Sequence, residues 1–253
     1  MVYLEEIERF LHETLGADAL ADYAPNGIQV AGSREIRVVA TGVSACMALF
    51  EKGAQCEADL ILVHHGLFWE KDSRVIAGSL RERLKYLLMR DMALAAYHLP
   101  LDCHGELGNN ALLLDKLGLE RGAPFGLYRG TPLSFLGQPR SGSLSIEGMT
   151  GRIREVIGGE PLVLPFGPER IQKIAIVSGA APELIREAVA VGADLFITGE
   201  ATEWVYHYAL EEGIHFIAAG HHRTERFGIQ AVGDLLASRF GLVHHHYDVP
   251  NPI

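Results

Sequence analysis

The sequence predicts an α/β protein with mostly parallel sheets, built as two related lobes. Three observations carry that expectation. Apolar β-type runs alternate with helix-length amphipathic runs, the alternation starts again in the second half of the chain, and the two series superimpose at one constant offset. Ile36 falls on Ile171, and "ADLILVHH" (58–65) falls on "ADLFITGE" (193–200), 135 residues on, which carries Asp59 onto Asp194 and Leu60 onto Leu195. Self-similarity of this kind is read as an internal repeat.

Taken in order, the chain opens on "MVYLEEIERF", an acidic amphipathic start with no basic segment, so no signal peptide is expected. The first series pairs the strand "IRVVATGVS" with the helix "ACMALFEKGAQ", then "ADLILVHH" with "LRERLKYLLMRD", and then "MALAAYHLPLD" with "NNALLLDKLG". Residues 119–165 are rich in Gly, Pro and Ser and predict a linking or strand-containing insert. The second series runs "IQKIAIVSG", "APELIREAVAVG", "ADLFITGE", "WVYHYALEEG", "IHFIAAGHH" and "RFGIQAVGDLLASRF". The implied organisation is a first lobe over 1–120, an insert over 121–165 and a second lobe over 166–253, with a C-terminal segment that can pack back on the first lobe. "HHHYD" (244–248) lies in an alternating, strand-like stretch and reads as surface or interface histidines.

Composition narrows the function classes. The 253 residues, 48% hydrophobic and 21% charged, suffice for a substantial core, and a net charge of −10 gives no basic field for nucleic acid or an anionic bilayer. Small ligands are the expected partners. No run of about 18 apolar residues occurs, so no membrane span is expected and a cytoplasmic location follows. Cys46, Cys56 and Cys103 show no C-x-x-C spacing, which argues against a disulfide framework and a thiolate metal site.

The chemistry collects at strand ends. "LILVHHGLFW" delivers His64 and His65 to the end of a buried apolar strand, and two further strands end in H-x-x-x-[DE], giving His98 with Asp102 and His221 with Glu225. Ligands of open α/β sheets sit outside the carboxyl ends of strands, so a pseudo-twofold relation of the halves would gather these side chains in one crevice. Neutral imidazoles and carboxylates suit zinc, iron, manganese or nickel, and this many donors suffices for two divalent ions if one carboxylate bridges. His221 and Glu225, at i and i+4, share one face of a helix start, and Glu225 is the expected bridge.

"LILVHHGLFW", "YHLPLD" followed by "GNNALL", "GADLFITGE", "GHHRTERFGIQAV" and the ending "YDVPNPI" together resemble the Nif three-like proteins, also labelled dinuclear metal centre proteins or GTP cyclohydrolase I type 2 homologues. The resemblance covers nearly the whole chain, in its short form. It implies metal ligation by His64, His65, Asp102, His221 and Glu225, a two-lobed fold with the metals in the cleft, and a toroidal homohexamer. The implied activity is metal-dependent hydrolysis of a nucleotide or a related phosphorylated or heterocyclic substrate. A non-catalytic metal-binding or interaction scaffold is the other class.

Around that set, His98 and His222 read as groups beside the ligands, suited to orienting them or relaying a proton, and Glu200 as an acid that orients ligands or substrate. Arg223 and Arg226 follow His221 on its helix start and could meet an anionic substrate. Neither G-x-G-x-x-G nor G-x-x-x-x-G-K-[ST] is present, so no phosphate-loop fingerprint supports "GAAPELIREAVAVG". Cys103, beside Asp102, would point to the opposite face if that segment were extended, and reads as packing.

Overall fold

The computed structural model describes residues 2–32 and 34–253. In chain order the strands are β1 (Val2–Tyr3), β2 (Gly27–Val30), β3 (Glu35–Ile36), β4 (Val38–Ser44), β5 (Leu60–His65), β6 (Ala93–Ala96), β7 (Leu119–Tyr128), β8 (Thr131–Pro139), β9 (Leu162–Pro165), β10 (Ile174–Ile176), β11 (Leu195–Thr198), β12 (His215–Ala218) and β13 (Val243–His246). The α-helices are α1 (Leu4–Leu15), α2 (Met47–Gln55), α3 (Gly78–Leu88), α4 (Leu99–Cys103), α5 (Asn109–Lys116), α6 (Ile146–Ile157), α7 (Ile185–Ala190), α8 (Val205–Glu212), α9 (His221–Thr224) and α10 (Arg226–Phe240). Packing divides the chain into two compact units, Met1–Leu107 with Gly228–Pro250, and Gly108–Phe227 with Asn251–Ile253. Among the described residues no helix is long and apolar enough to cross a membrane.

In the first unit the sheet order is β13-β4-β5-β6-β2, parallel throughout except for β2. Alternate residues of its strands enter two different cores. Val39, Leu60, Leu62, Ala93 and Ala95 pack with Ile7 and Leu11 of α1 and Ile229, Val232 and Leu236 of α10. Ala40, Ile61, Val63, Leu94 and Ala96 pack with Leu49 and Phe50 of α2 and Leu87 of α3. Burial on both faces is why β5 reads as an unbroken apolar run rather than an alternating one.

The second unit repeats the scheme with β10, β11 and β12 parallel at its centre, but β7, β8 and β9 add on antiparallel, in the order β7-β8-β10-β11-β12-β9. Ile174, Ile176, Leu195, Ile197 and Ile217 face one core, while Ala175, Val177, Phe196, Phe216 and Ala218 face the other. Residues 119–165 are therefore part of this sheet and its covering helix α6 rather than a linker. The packing also assigns α5 to the second unit, where Leu113, Leu114 and Leu117 join Met149 and Ile153 of α6, and it returns residues 228–250 to the first. Both shifts follow from which apolar face each segment covers, which a boundary drawn at residue 120 could not register.

The repeat is structural to the residue. Val39 pairs with Leu60 in one unit and Ile174 with Leu195 in the other, the same register 135 positions on. One carboxylate sets it in each. Asp59 Oδ2 accepts the N–H groups of Arg37 and Val38 at 2.8 and 3.0 Å, and Asp194 Oδ2 accepts those of Gln172 and Lys173 at 2.8 Å each. Hydrogen bonds to a charged acceptor contribute roughly 1.5–3 kcal/mol, so Asp59→Ala and Asp194→Ala are each expected to cost about that much in denaturant unfolding. A loss below about 0.5 kcal/mol, the size of an ordinary surface substitution, would contradict the role given to these acids.

Candidate metal centre

His64 is the penultimate residue of β5 and is completely buried. Its Nδ1 lies 2.9 Å from the carbonyl oxygen of Tyr97, which can only accept, so Nδ1 carries a proton and donates it there. Its Nε2 is 3.5 Å from Asp102 Oδ2. Asp102 arrives from the next strand: β6 stops at Ala96, Tyr97 N–H still donates to Val63, and the chain then turns into α4 with Pro100 in its first turn. Asp102 is only 6% exposed. His65 closes the strand, its Nδ1 3.2 Å from Ser44 Oγ and its ring centroid 4.5 Å from that of His64.

His98 joins this group. A ring nitrogen of each of His64, His65 and His98 lies within 4.8 Å of the others. Its position depends on a stretch that sequence reading passed over, "DYAPN" (22–26). Asp22 Oδ1 is 3.0 Å from His98 Nδ1, Asp22 Oδ2 accepts Leu99 N–H at 2.9 Å and an amide N–H of Asn26 at 3.1 Å, and Asn26 Oδ1 accepts His98 N–H at 2.8 Å. Burial by itself would raise the Asp22 pKa, but the hydrogen bond and charge of His98, with those of Asn26 and Leu99, hold it below the usual carboxylate value. The only sequence signal was an acid ahead of a Pro-Asn-Gly turn, a common pattern.

In the second unit the donors stand on α9, at His221, and just past its end, at Glu225. His221 lies between two carboxylates, Nδ1 2.5 Å from Glu200 Oε1 and Nε2 2.9 Å from Glu225 Oε2. Burial opposes its charge, yet the hydrogen bond and charge of Glu225, followed by those of Glu200, push its pKa up to about 9. A cation taking Nε2 has to displace that proton. Glu225 is 3% exposed, and the room for it is made by Gly179, where a Cβ would lie 2.1 Å from Glu225 Oε1. Gly199 does the same for the backbone, since a Cβ there would come within 2.7 Å of His221 Cα. Thr224 Oγ1 accepts Gly179 N–H at 3.0 Å and donates to the His221 carbonyl at 2.9 Å, locking the glycine loop to the donor helix. Gly179, Gly199 and Thr224 were not singled out in the sequence; the Gly-Glu ending of "ADLFITGE" was the available hint.

The sequence-predicted residues thus fall into two sets, His64, His65, His98 and Asp102 in the first unit and Glu200, His221 and Glu225 in the second. The H-x-x-x-[DE] match is one of chemistry and not of register. Ala96 ends its pairing opposite Val63 as Ala218 does opposite Thr198, so in strand register His98 corresponds to Gly220 and Leu99 to His221. Arg226 is turned to the carbonyl of Val156, with Nη2 at 2.9 Å, and the Arg223 guanidinium packs over Gly159. His222 is buried and its N–H donates to Ile253. Cys103 is helical rather than extended, and burial, with the charges of Asp102 and Asp22, pushes its thiol up to about 12, far from a thiolate ligand. Of the "HHHYD" histidines His245 is exposed, while the half-buried His244 bridges Asp234 and Thr41 at 2.8 Å each and His246 reaches Thr41 at 2.9 Å.

With this geometry in view, comparison with known proteins is decisive on family. The family described as Duf34/NIF3 (NGG1p interacting factor 3) matches residues 2–252. The chain belongs to the Duf34/NIF3 family. A Pseudomonas aeruginosa relative named GTP cyclohydrolase 1 type 2 homolog is 42% identical over 98% of this chain and 96% of its own. The solved protein ybgI superimposes with a TM-score of 0.94 at 40% identity, and TTHA1606 from Thermus thermophilus with 0.90 at 36%, both over the full length of each chain.

Two substitutions test how this Duf34/NIF3 site is held together. Asp22→Ala leaves His98 Nδ1 and the Leu99 N–H without their buried acceptor, and is expected to destabilise the fold by about 2–4 kcal/mol. Gly179→Ala must move Glu225 and also strains a φ of +69°, and about 1–3 kcal/mol is expected. Denaturant unfolding measures both, and wild-type stability in either variant would refute the corresponding contact.

Proposed function

We propose that this Duf34/NIF3 protein holds two divalent transition-metal ions on His64, His65, Asp102, His221 and Glu225 and hydrolyses a nucleotide-related or heterocyclic substrate. The observation that carries the reading is the setting of His64. A fully buried imidazole commits its Nδ1–H to a main-chain carbonyl and brings Nε2 to 3.5 Å from a buried carboxylate, and a metal-ligating histidine is oriented by the same kind of Nδ1 contact. The donor set of imidazoles and carboxylates without a thiolate suits zinc, iron, manganese or nickel. Bound ions of this kind act as Lewis acids and bring a water they hold toward a pKa of roughly 7, which is the chemistry hydrolysis needs. The protein's own groups supply the rest. Glu200 fixes the His221 ring through Nδ1, Asp22 fixes His98 beside the donors, and His98 is the side chain placed to pass a proton. Relatives named GTP cyclohydrolase 1 type 2 homolog support ring hydrolysis as the reaction class.

The test is elemental analysis of metal-replete protein with His64→Ala and Glu225→Ala as controls, followed by a nucleotide and nucleoside hydrolysis screen. About two ions per chain are expected, fewer in each variant, with activity lost in both. Protein devoid of metal would refute the binding reading, and equal background rates for wild type and variants on every compound would leave a metal-binding protein without hydrolase activity.

The resemblance to the family further supports assembly into a closed homohexamer, and an assembly would cover part of the apolar area that Val75, Ile76, Leu88 and Met89 leave exposed. Light scattering is expected to report six chains at micromolar concentration, and a monomer there would refute the assembly.

A further inference from the structure

The first unit carries a cavity of about 620 Å³ that the metal reading does not use. Its size falls within the roughly 300–1,000 Å³ typical of small-molecule sites. Tyr23, Phe68 and Trp69 form its aromatic wall, and Pro25, Ile76 and Leu80 complete its apolar lining. The wall is built in advance of any ligand. Residues 66–77 form neither helix nor strand, yet Leu67 N–H donates to Gln29 Oε1 at 2.7 Å and Glu70 N–H to the Tyr23 carbonyl at 2.9 Å, so the Trp69 loop is fastened to the 22–29 segment at two points. That segment is itself fixed by the Asp22 contacts to His98 and Leu99.

Trp69 and Tyr23 lie 5.8 Å apart between ring centroids, with their planes 31° from parallel, and both line the cavity. Tyr23 remains 40% exposed. Leaving two large aromatic rings partly exposed at a preformed cavity wastes apolar area unless something flat covers them. The same rings reach the candidate donors: Trp69 is 5.1 Å from the His98 ring and 5.8 Å from the His65 ring, and Tyr23 is 5.0 Å from His98. A ring on this wall would therefore have an edge beside His65 and His98. Charge selects further. The lining holds Asp22, Glu70 and Asp72 against one cation, Arg74, so it repels a polyphosphate and accepts a neutral or cationic ring.

We infer that this cavity binds the ring of an uncharged planar nitrogen heterocycle of nucleobase type, stacked on Trp69 and Tyr23 with its edge toward His65 and His98. The inference rests on the hydrolase reading for its purpose and narrows that reading to the ring, rather than the phosphates, as the part recognised here. Binding itself needs no metal.

Trp69 and Trp204 are the two tryptophans of the chain, so Trp204→Phe makes Trp69 the sole indole reporter. Chelator-treated and metal-loaded protein would be titrated with guanosine, adenosine, ribose 5-phosphate and inorganic pyrophosphate, following indole fluorescence in that variant and calorimetry in wild type. Saturable quenching by the nucleosides and none by the two phosphates is expected. Stacking on an aromatic side chain is typically worth a tenfold or larger factor, so Trp69→Ala should weaken nucleoside binding at least about tenfold, with Tyr23→Ala as the deciding variant if the first does not fold. Nucleosides that fail to bind, that bind the variants as well as wild type, or that bind more weakly than pyrophosphate would overturn the inference. Wild-type protein that binds the ring but takes up no metal on loading would refute the metal reading and leave this one standing, whereas metal uptake without ring binding would refute this one alone.

Discussion

Everything at the candidate site depends on which residue of one strand lies beside which residue of the next. In both units that register is held by an aspartate just before the second strand, Asp59 or Asp194, which accepts two consecutive N–H groups of the strand alongside. Side chains alternate faces along a strand, so a one-residue slip of β5 would carry Leu60 and Leu62 out of one core and Ile61 and Val63 out of the other. It would also turn His64 away from the Tyr97 carbonyl. The energy that resists the slip is hydrophobic and spread over both faces. The carboxylate supplies the direction, because only one alignment satisfies it.

Given that register, the sheets can place polar groups at their strand ends. A buried imidazole or carboxylate without a partner costs several kcal/mol, so each donor here is held by a specific neighbour, and the neighbours differ between the units. His64 donates Nδ1–H to a main-chain carbonyl, whereas His221 sits between Glu200 and Glu225, which push its pKa up to about 9 and favour its charged form. The same strand–helix scaffold thus presents one histidine held by the main chain and another held by two carboxylates. Close backbone approach makes the second arrangement feasible, since Gly179 and Gly199 leave no side chain where Glu225 and the start of α9 must fit.

Much of this was legible in the sequence. The apolar run before His64 and His65 announced a strand buried on both faces, and the match of Asp59 to Asp194 announced a repeat that the structure keeps in register. What could not be read were contacts made across long stretches of chain. Asp22 meets His98 across 76 positions, and nothing in "DYAPN" distinguishes that turn from any other. β7 was hidden because "LERGAPFGLY" breaks its alternation with Pro and Gly, and a register shift between Arg121 and Pro124 absorbs the break. His244 looked like a surface residue because its neighbours are, but its ring lies against Gly233, where even a Cβ would come within 2.1 Å. The pairing of His98 with His221 failed for a related reason: side-chain chemistry recurred, while the hydrogen-bond ladder placed a glycine opposite that histidine's position.

That mismatch has a physical consequence for how the two units divide their work. In the second unit the residue in register with His98 is Gly220, whose φ of +92° lets the chain turn so that His221 opens α9 and faces Glu200 and Glu225. In the first unit the corresponding position carries an imidazole, and the turn is secured instead from outside by Asp22 and Asn26. The first unit therefore gains a histidine its counterpart cannot have, together with the segment that secures it. That segment also brings Tyr23 against the His98 ring and beside Trp69. An aromatic-walled cavity next to the donors is thus a by-product of how the turn after β6 is held.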